Sequence, residues 1–432
     1  MEYREAMDYL QNLTKFGFNF GLGRIEELLR RLGNPHTKLK VIHIGGTNGK
    51  GSTTAMLASI LEEAGYRVGM FTSPHLHSYT ERFRINGKQI KTGRIAQLIT
   101  RLRPYLDAMV EEGFEHPTEF EVCTAMAFLY FAEEEVDLLL LEVGLGGAID
   151  STNVVTPLVS VLTNIAMDHM DYLGNSIKEI TAVKAGIIKP GIPVVTSAGN
   201  PEALEVIQEV CRKNNSALTV IGQQVTPQQL NFSIEGQHFL IDSQNNTYTD
   251  LTLPLLGRHQ LTNAAVAVAV IEILNQQGYN IPEETVRKGL AGTGWAARLE
   301  IMHQNPTILV DGAHNLDGVK SLRQALLDYF PEKKIILVLG MLGDKERSKV
   351  VAELAPLADS AVITKPNSPR AGDWELLAEE ARQYVQKVQV IENISEAVDA
   401  ALAWAEPEDL VCITGSLYMV AEAREHLLKI YK

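Results

Sequence analysis

The residues best suited to chemistry in this chain are a lysine set among glycines, Gly45-Gly46-Thr47-Asn48-Gly49-Lys50-Gly51-Ser52. An apolar stretch, Val41-Ile42-His43-Ile44, precedes them and an amphipathic one opens at Thr53. Strand, glycine loop and helix start together cradle phosphates: backbone N–H groups converge on the anion and Lys50 adds a mobile positive charge. The general P-loop pattern is not met, because Ile44 stands where its first glycine belongs and Gly51 follows the lysine instead of Ser or Thr. A glycine-rich turn with an incidental lysine is the alternative, and the flanking elements favour a nucleoside triphosphate. A second candidate is Glu142, at the C-terminal end of the apolar run 137–143. Ligands of open α/β sheets collect at such strand ends, and a carboxylate there can hold Mg²⁺, a hard cation that takes oxygen ligands and substrate phosphates.

The elements that must position these groups alternate between short β-rich runs and longer helical patterns, the signature of α/β architecture. Buried strands are expected at residues 40–44, 68–72, 136–143, 158–163 and 193–196, and helices at 51–64, 118–134 and 261–277. Between 230 and 253 short alternating runs broken by Asn245-Asn246 suggest antiparallel hairpins. Residues 291–295 read as a loop and domain boundary, followed by strands at 307–310, 334–339, 361–364 and 410–414. The expected fold is a doubly wound, mostly parallel P-loop-containing α/β domain with appended hairpins over 1–294. A smaller Rossmann-like α/β domain follows over 295–432. A length of 432 residues supports two domains.

A net charge of −14 without a long basic run argues against a nucleic-acid partner. No apolar run approaches the roughly 20 residues of a membrane span. The charged start Met1-Glu2-Tyr3-Arg4-Glu5 lacks a signal-peptide core, and Cys123, Cys211 and Cys412 show no metal-ligand spacing. A cytoplasmic monomer is expected.

The loop Gly-Thr-Asn-Gly-Lys-Gly-Ser resembles that of the Mur ligase superfamily, ATP-dependent enzymes that join a carboxylate to an amine. The rest of the chain is similar to one branch, the folylpolyglutamate synthase and dihydrofolate synthase family. The likeness rests on collinear motifs: Phe20-Gly21-Leu22-Gly23-Arg24-Ile25 with Leu32-Gly33-Asn34-Pro35; Thr72-Ser73-Pro74-His75-Leu76 with Glu81-Arg82; Glu142-Val143-Gly144-Leu145-Gly146-Gly147 with Asp150-Ser151-Thr152-Asn153; Asp168-His169; Lys184 to Pro190; and Asp311-Gly312-Ala313-His314-Asn315.

The resemblance implies a ligase that adds L-glutamate to dihydropteroate and to reduced folates through an acyl phosphate, the bacterial bifunctional type. ATP would be held by Gly46, Thr47, Asn48, Gly49, Lys50, Gly51 and Ser52, with Asn263, Arg298, Asp311 and His314 as further contacts. Two Mg²⁺ ions would draw on Ser73, Glu142, His169 and Lys184, the lysine as a carbamate. Imidazole is an unusual Mg²⁺ ligand, and His169 could instead cap a turn, as Ser73 could. Lys184 could snorkel or pair with Glu179; the apolar neighbour Val183 favours the neutral amine that carbamylation needs. Lys50, Glu142, His169 and Lys184 are thus the catalytic candidates. Phe18 to Arg24, the loop from His75 to Arg82, and Phe120 are candidate acceptor contacts, Phe120 being equally a core residue. Relatives carry Pro-Gly before the matching Arg298; Ala296 and Ala297 permit helix there, which leaves the aim of Arg298 open. A monofunctional polyglutamate synthase, a peptidoglycan-precursor ligase and a nucleotide-gated binding protein are the alternatives.

Overall fold

Residues Val41–Gly45 (β1) are apolar but for His43 and all buried, as a central parallel strand demands. The computed structural model describes residues 1–17 and 21–431, so the expected acceptor segment at Phe18 and Phe20 lies outside the described residues. Around β1 the first sheet adds Val68–Phe71 (β2), Phe83–Ile85 (β3), Lys88–Gln89 (β4), Leu138–Glu142 (β5), Val159–Leu162 (β6), Val194–Thr196 (β7) and Leu218–Val220 (β8). Its order is β4-β3-β2-β5-β1-β6-β7-β8, with all pairings parallel except those of β3, which runs antiparallel to both β2 and β4.

From β1 the chain runs toward β2, whereas from β6 it runs the other way to β7. The switch point therefore falls between β1 and β6, where the crevice of a doubly wound sheet opens. Register sets Ile44 of β1 against Glu142 of β5, so that acid ends its strand beside the glycine loop.

Two helices flanking this sheet are apolar nearly all round and correspondingly buried, Lys50–Glu63 and Glu119–Glu133. The second begins with a reciprocal cap: Thr118 accepts from the Glu121 amide while the Glu121 carboxylate accepts from Thr118. Phe71, Phe83, Phe128 and Phe131 are fully buried in the adjoining core, each contributing about 1.5–3 kcal/mol by burial.

Val225–Ser233 (β9), Gly236–Ser243 (β10) and Thr247–Leu253 (β11) form their own three-stranded sheet, in the order β11-β10-β9. The two- and three-residue connections can join only antiparallel neighbours, so the expected hairpins pair with one another. The long helix that follows is Arg258–Gln276, three residues earlier at its start than its apolar pattern suggests.

A third sheet contains Glu300–Gln304 (β12), Thr307–Val310 (β13), Ile335–Leu339 (β14), Ser360–Ile363 (β15), Lys387–Val390 (β16) and Leu410–Thr414 (β17), ordered β12-β13-β17-β14-β15-β16. Only the edge strand β12 runs antiparallel. The chain divides into two compact units: Met1–Gln228 with Leu240–Leu251 and Thr262–Gly292, and Gln229–Phe239 with Thr252–Leu261 and Thr293–Lys432. Among the described residues no helix is long and apolar enough to cross a membrane, and the three cysteines are buried and unpaired.

Candidate functional site

The glycine loop leaves β1 and enters the Lys50–Glu63 helix with Gly46 at φ 133° and Gly49 at φ 87°, conformations that side chains disfavour. A Cβ on Gly46 would stand 1.9 Å from Thr163 Oγ1, and one on Gly49 would stand 2.5 Å from Asn263 Oδ1. Thr163, just past β6, places its hydroxyl within reach of the carbonyls of Gly45 (3.1 Å) and Asn48 (2.7 Å). Asn164 accepts the Asn48 amide at 2.6 Å, and its carbonyl accepts the Thr47 amide at 2.8 Å. The loop is therefore held open from β6, and its first helical amides form an anion-binding end. The ammonium of Lys50 donates to the carbonyls of Gly46 (3.2 Å) and Thr47 (3.0 Å).

Glu142 is buried at the end of β5, and its Oε2 accepts the Ser73 amide at 3.3 Å. It does not face solvent. Lys184, at the end of the Ile177–Lys184 helix, is equally buried and donates to the Gly46 carbonyl at 3.0 Å. It therefore neither snorkels nor pairs with Glu179, whose carboxylate accepts the Asn175 amide. Burial, reinforced by the charge of Lys50, lowers the Lys184 ammonium to about 7 against the opposing pull of Asp168 and Asp150. His169 takes φ 52° at the head of the short helix Met170–Leu173, its Nε2 3.9 Å from the Asp168 carboxylate.

The donor chemistry here suits Mg²⁺. Among the described residues no group of three or more His, Cys, Asp or Glu forms a protein cage. One buried carboxylate beside a phosphate loop is what a cation needs that brings waters and substrate phosphates with it.

The candidate acceptor residues fall into two clusters. Arg24 donates to Glu121 (3.1 Å) and Glu115 (3.2 Å). Arg82 donates to His75 Nδ1 (3.0 Å) and lies 3.7 Å from both Cys123 Sγ and Glu119. His75 is thereby fixed with its proton on Nε2, and burial beside Arg82 lowers it to about 4. Phe120 stacks on Phe71 at 6.1 Å and packs so closely on Gly144 that a Cβ there would stand 2.4 Å from its ring. The backbone amides of residues 76–78 all donate to the Glu81 carboxylate, which shapes that loop.

In the second unit Asp311 ends near β13, its two oxygens accepting the amides of Leu299 (2.9 Å) and Ala313 (2.8 Å). Arg298 beside it donates to the Ala297 carbonyl at 2.9 Å, and His314 Nδ1 lies 2.8 Å from the Gly312 carbonyl. Residues 296–299 are not helical: Ala297 has φ 57° and Leu299 φ 45°. The helix that Ala-Ala permits is overruled because the Asp311 carboxylate claims the Leu299 amide and the Glu300 carboxylate that of Ala297. The turn is thus made by a left-handed alanine at 297.

Sequence reasoning assigned no role to Thr163, Asn164, Asp150 or His43. Asp150 stands in the segment Asp150-Ser151-Thr152-Asn153; the others show only as polar residues at or in parallel strands, a weak signal.

Known proteins match this arrangement. The Mur ligase middle domain family covers residues 44–271, and the Mur ligase glutamate ligase domain family covers 297–417. The dihydrofolate synthase/folylpolyglutamate synthase of Bacillus subtilis is 37% identical over 438 residues, spanning 98% of this chain and 99% of that one. The Mycobacterium tuberculosis folylpolyglutamate synthase complexed with ADP superposes with a TM-score of 0.92 at 33% identity, over 99% of both chains. Escherichia coli FolC in complex with DHPP and ADP superposes at 0.89 with 30% identity, over 100% of this chain and 99% of that one.

Proposed function

The chain belongs to the folylpolyglutamate synthase/dihydrofolate synthase family of Mur ligases, and from that premise we propose that it is an ATP-dependent ligase adding L-glutamate to dihydropteroate and to reduced folates. The observation that carries this reading is the convergence of Lys50 and Lys184 on the Gly46 carbonyl, with Glu142 ending the neighbouring strand. One lysine ammonium, a buried lysine of lowered proton affinity and one carboxylate at a phosphate loop serve phosphoryl transfer, where catalysis is chiefly positioning and charge stabilisation.

The acceptor's carboxylate attacks the γ-phosphate of ATP, giving an acyl phosphate and ADP; the amine of glutamate then attacks the acyl carbon and releases phosphate. Residues 46–52 and Asn263 bind the nucleotide, and Lys50 shifts from its own loop to the phosphates. Arg298, Asp311 and His314 are nucleotide contacts of the second unit. Glu142, with Ser73, His169 and Lys184, would hold Mg²⁺, which when bound neutralises phosphate charge. The depressed ammonium of Lys184 supplies the neutral amine that carbamylation by CO₂ consumes. His75 and Phe120 face the acceptor, while Arg24 and Arg82, engaged with Glu121 and His75, frame it. We place the enzyme in the cytoplasm, which three buried free thiols suit, and take one chain as the working unit.

The test is incubation with ATP, Mg²⁺ and glutamate plus either dihydropteroate or tetrahydrofolate, with products identified by mass. Product from each acceptor alone, and ADP release that requires both acceptor and glutamate, is the expected result. Extension of tetrahydrofolate without dihydrofolate at saturating dihydropteroate would leave a monofunctional polyglutamate synthase.

A further inference from the structure

His43 sits in the middle of β1 with no exposure at all, between Ile42 and Ile44. Its Nε2 meets Thr152 Oγ1 at 2.9 Å, whereas its Nδ1 is buried without a hydrogen-bond partner among the described residues. A residue needed only for packing would be another Val or Ile, since a stranded ring nitrogen costs stability and gains nothing. The bond at Nε2 is therefore what the histidine contributes.

The direction of that bond follows from its neighbours. Thr152 Oγ1 lies 2.5 Å from Asp150 Oδ1, which also accepts the Thr152 amide at 2.9 Å. The other carboxylate oxygen accepts the Leu145 amide at 2.7 Å. With backbone donors on both oxygens Asp150 is an acceptor, so Thr152 gives it a proton and receives one from His43 Nε2–H.

Asp150 thus ties down the loop of residues 144–150, which begins two residues after Glu142. The same loop seats Lys184. Ala148 donates to the Val183 carbonyl at 2.8 Å, and Gly147 lies so close that a Cβ would stand 2.5 Å from the Lys184 carbonyl. Asn153, next to Thr152, bridges the carbonyls of Ala148 (3.3 Å) and Gly186 (3.2 Å). One buried chain of bonds runs from the central strand to the backbone on either side of the lysine.

We infer that His43 is a positioning residue for the ligase reaction, orienting Thr152 and Asp150 so that the 144–150 loop sets the Lys184 amine against the glycine loop. The inference rests on the assignment of Glu142 and Lys184 to the reacting phosphate.

The experiment measures kcat, KM for each substrate, the Mg²⁺ half-saturation and Tm for the full-length enzyme. The variants are His43→Leu, His43→Gln, Thr152→Val and the double His43→Leu/Thr152→Val. Misplacement of a catalytic group by an ångström costs up to about 100-fold, so His43→Leu should lose about 10- to 100-fold in kcat with little change in glutamate KM. Glutamine carries a donor in place of Nε2 and should restore kcat to within about threefold. The double variant should be no slower than the slower single one, as for residues acting in one chain. The inference is overturned if His43→Leu keeps its kcat, if His43→Gln is equally slow, or if the single losses multiply. Should His43→Leu not fold, Thr152→Val against Thr152→Ser decides in the same way: a slow valine variant with a competent serine one supports the relay, and equal rates refute it. Glu142→Gln run alongside separates the premise, because an unchanged rate there would remove the phosphate-site assignment itself.

Discussion

Lys184 and Lys50 place their ammonium groups on one acceptor, the Gly46 carbonyl, at 3.0 and 3.2 Å. Burial above all, and then the repulsion of Lys50, lowers the Lys184 proton affinity. An anion arriving at the loop relieves that repulsion, which makes the arrangement one prepared for phosphate. Replacing Lys50 by Met, or Glu142 by Ala, should lower kcat by about 100-fold or more while circular dichroism stays unchanged. Retention of more than a few per cent of activity in either variant would remove that residue from the site. Saturating ADP should raise Tm of the wild-type enzyme, with about 2.7 kcal/mol gained at a hundred times Kd. Lys50→Met should lose most of this shift.

The turn at Ala297 is strained in a way that one methyl group can relieve. A left-handed alanine costs about 1–2 kcal/mol, and Ala297 holds φ 57° while fully buried. Glycine removes that strain but adds freedom to the unfolded chain, a loss of about 0.4–1 kcal/mol. Ala297→Gly should therefore stabilise the protein by about 0.5–1 kcal/mol, read as the shift in urea midpoint at constant m. The Arg298 guanidinium is bonded to the residue 297 carbonyl, which the change preserves, so ATP KM should hold. Destabilisation would show that the Ala297 methyl packs better than the turn is strained.

Acid should probe His43 directly. Burial, aided by Lys189, lowers this imidazole from its ordinary 6.5 to about 3. Between those values the unfolded chain binds a proton at this site and the folded protein does not, so stability falls as pH drops through that window and is unaffected above it. One such site contributes a slope of about 1.4 kcal/mol per pH unit. His43→Gln cannot titrate and should lose stability less steeply between pH 6 and 4 by about that amount, measured by urea unfolding. Parallel curves for the two proteins would mean that the ring protonates in the folded state.

What the sequence disclosed follows the range of the interactions involved. β1, β5, β13, β14 and β17 are buried on both faces and stand out as apolar runs. The edge strands β4 and β16 are short and largely exposed, and β12 is only half-buried, so no continuous apolar run marks them. Lys50 and Glu142 were visible because each adjoins a strand end in the chain itself. The bonds of Thr163 to the glycine loop and of His43 to Thr152 span 115 and 109 residues respectively. Such pairing exists only once β1, β5 and β6 have taken their register. The left-handed turn at Ala297 was hidden for a similar reason, since it is imposed by the Asp311 and Glu300 carboxylates.

Gly49 offers the sharpest test of how the nucleotide loop is built. It combines φ 87° with a Cβ position 2.5 Å from Asn263 Oδ1, so alanine there carries two separate penalties. The backbone strain, about 1–2 kcal/mol, does not depend on Asn263, whereas the clash does. Gly49→Ala should lower Tm and raise ATP KM, because either the loop or the asparagine must move off its place. Asn263→Ala alone should raise ATP KM with little loss of stability, since it opens space without straining the backbone. In Gly49→Ala/Asn263→Ala the clash is gone and only the strain remains. The double variant should therefore be more stable than the sum of the single losses, by about 0.5–3 kcal/mol of coupling. Strictly additive losses would mean that Asn263 already leaves the loop at no cost, and its assignment as a nucleotide contact would then lose its structural support.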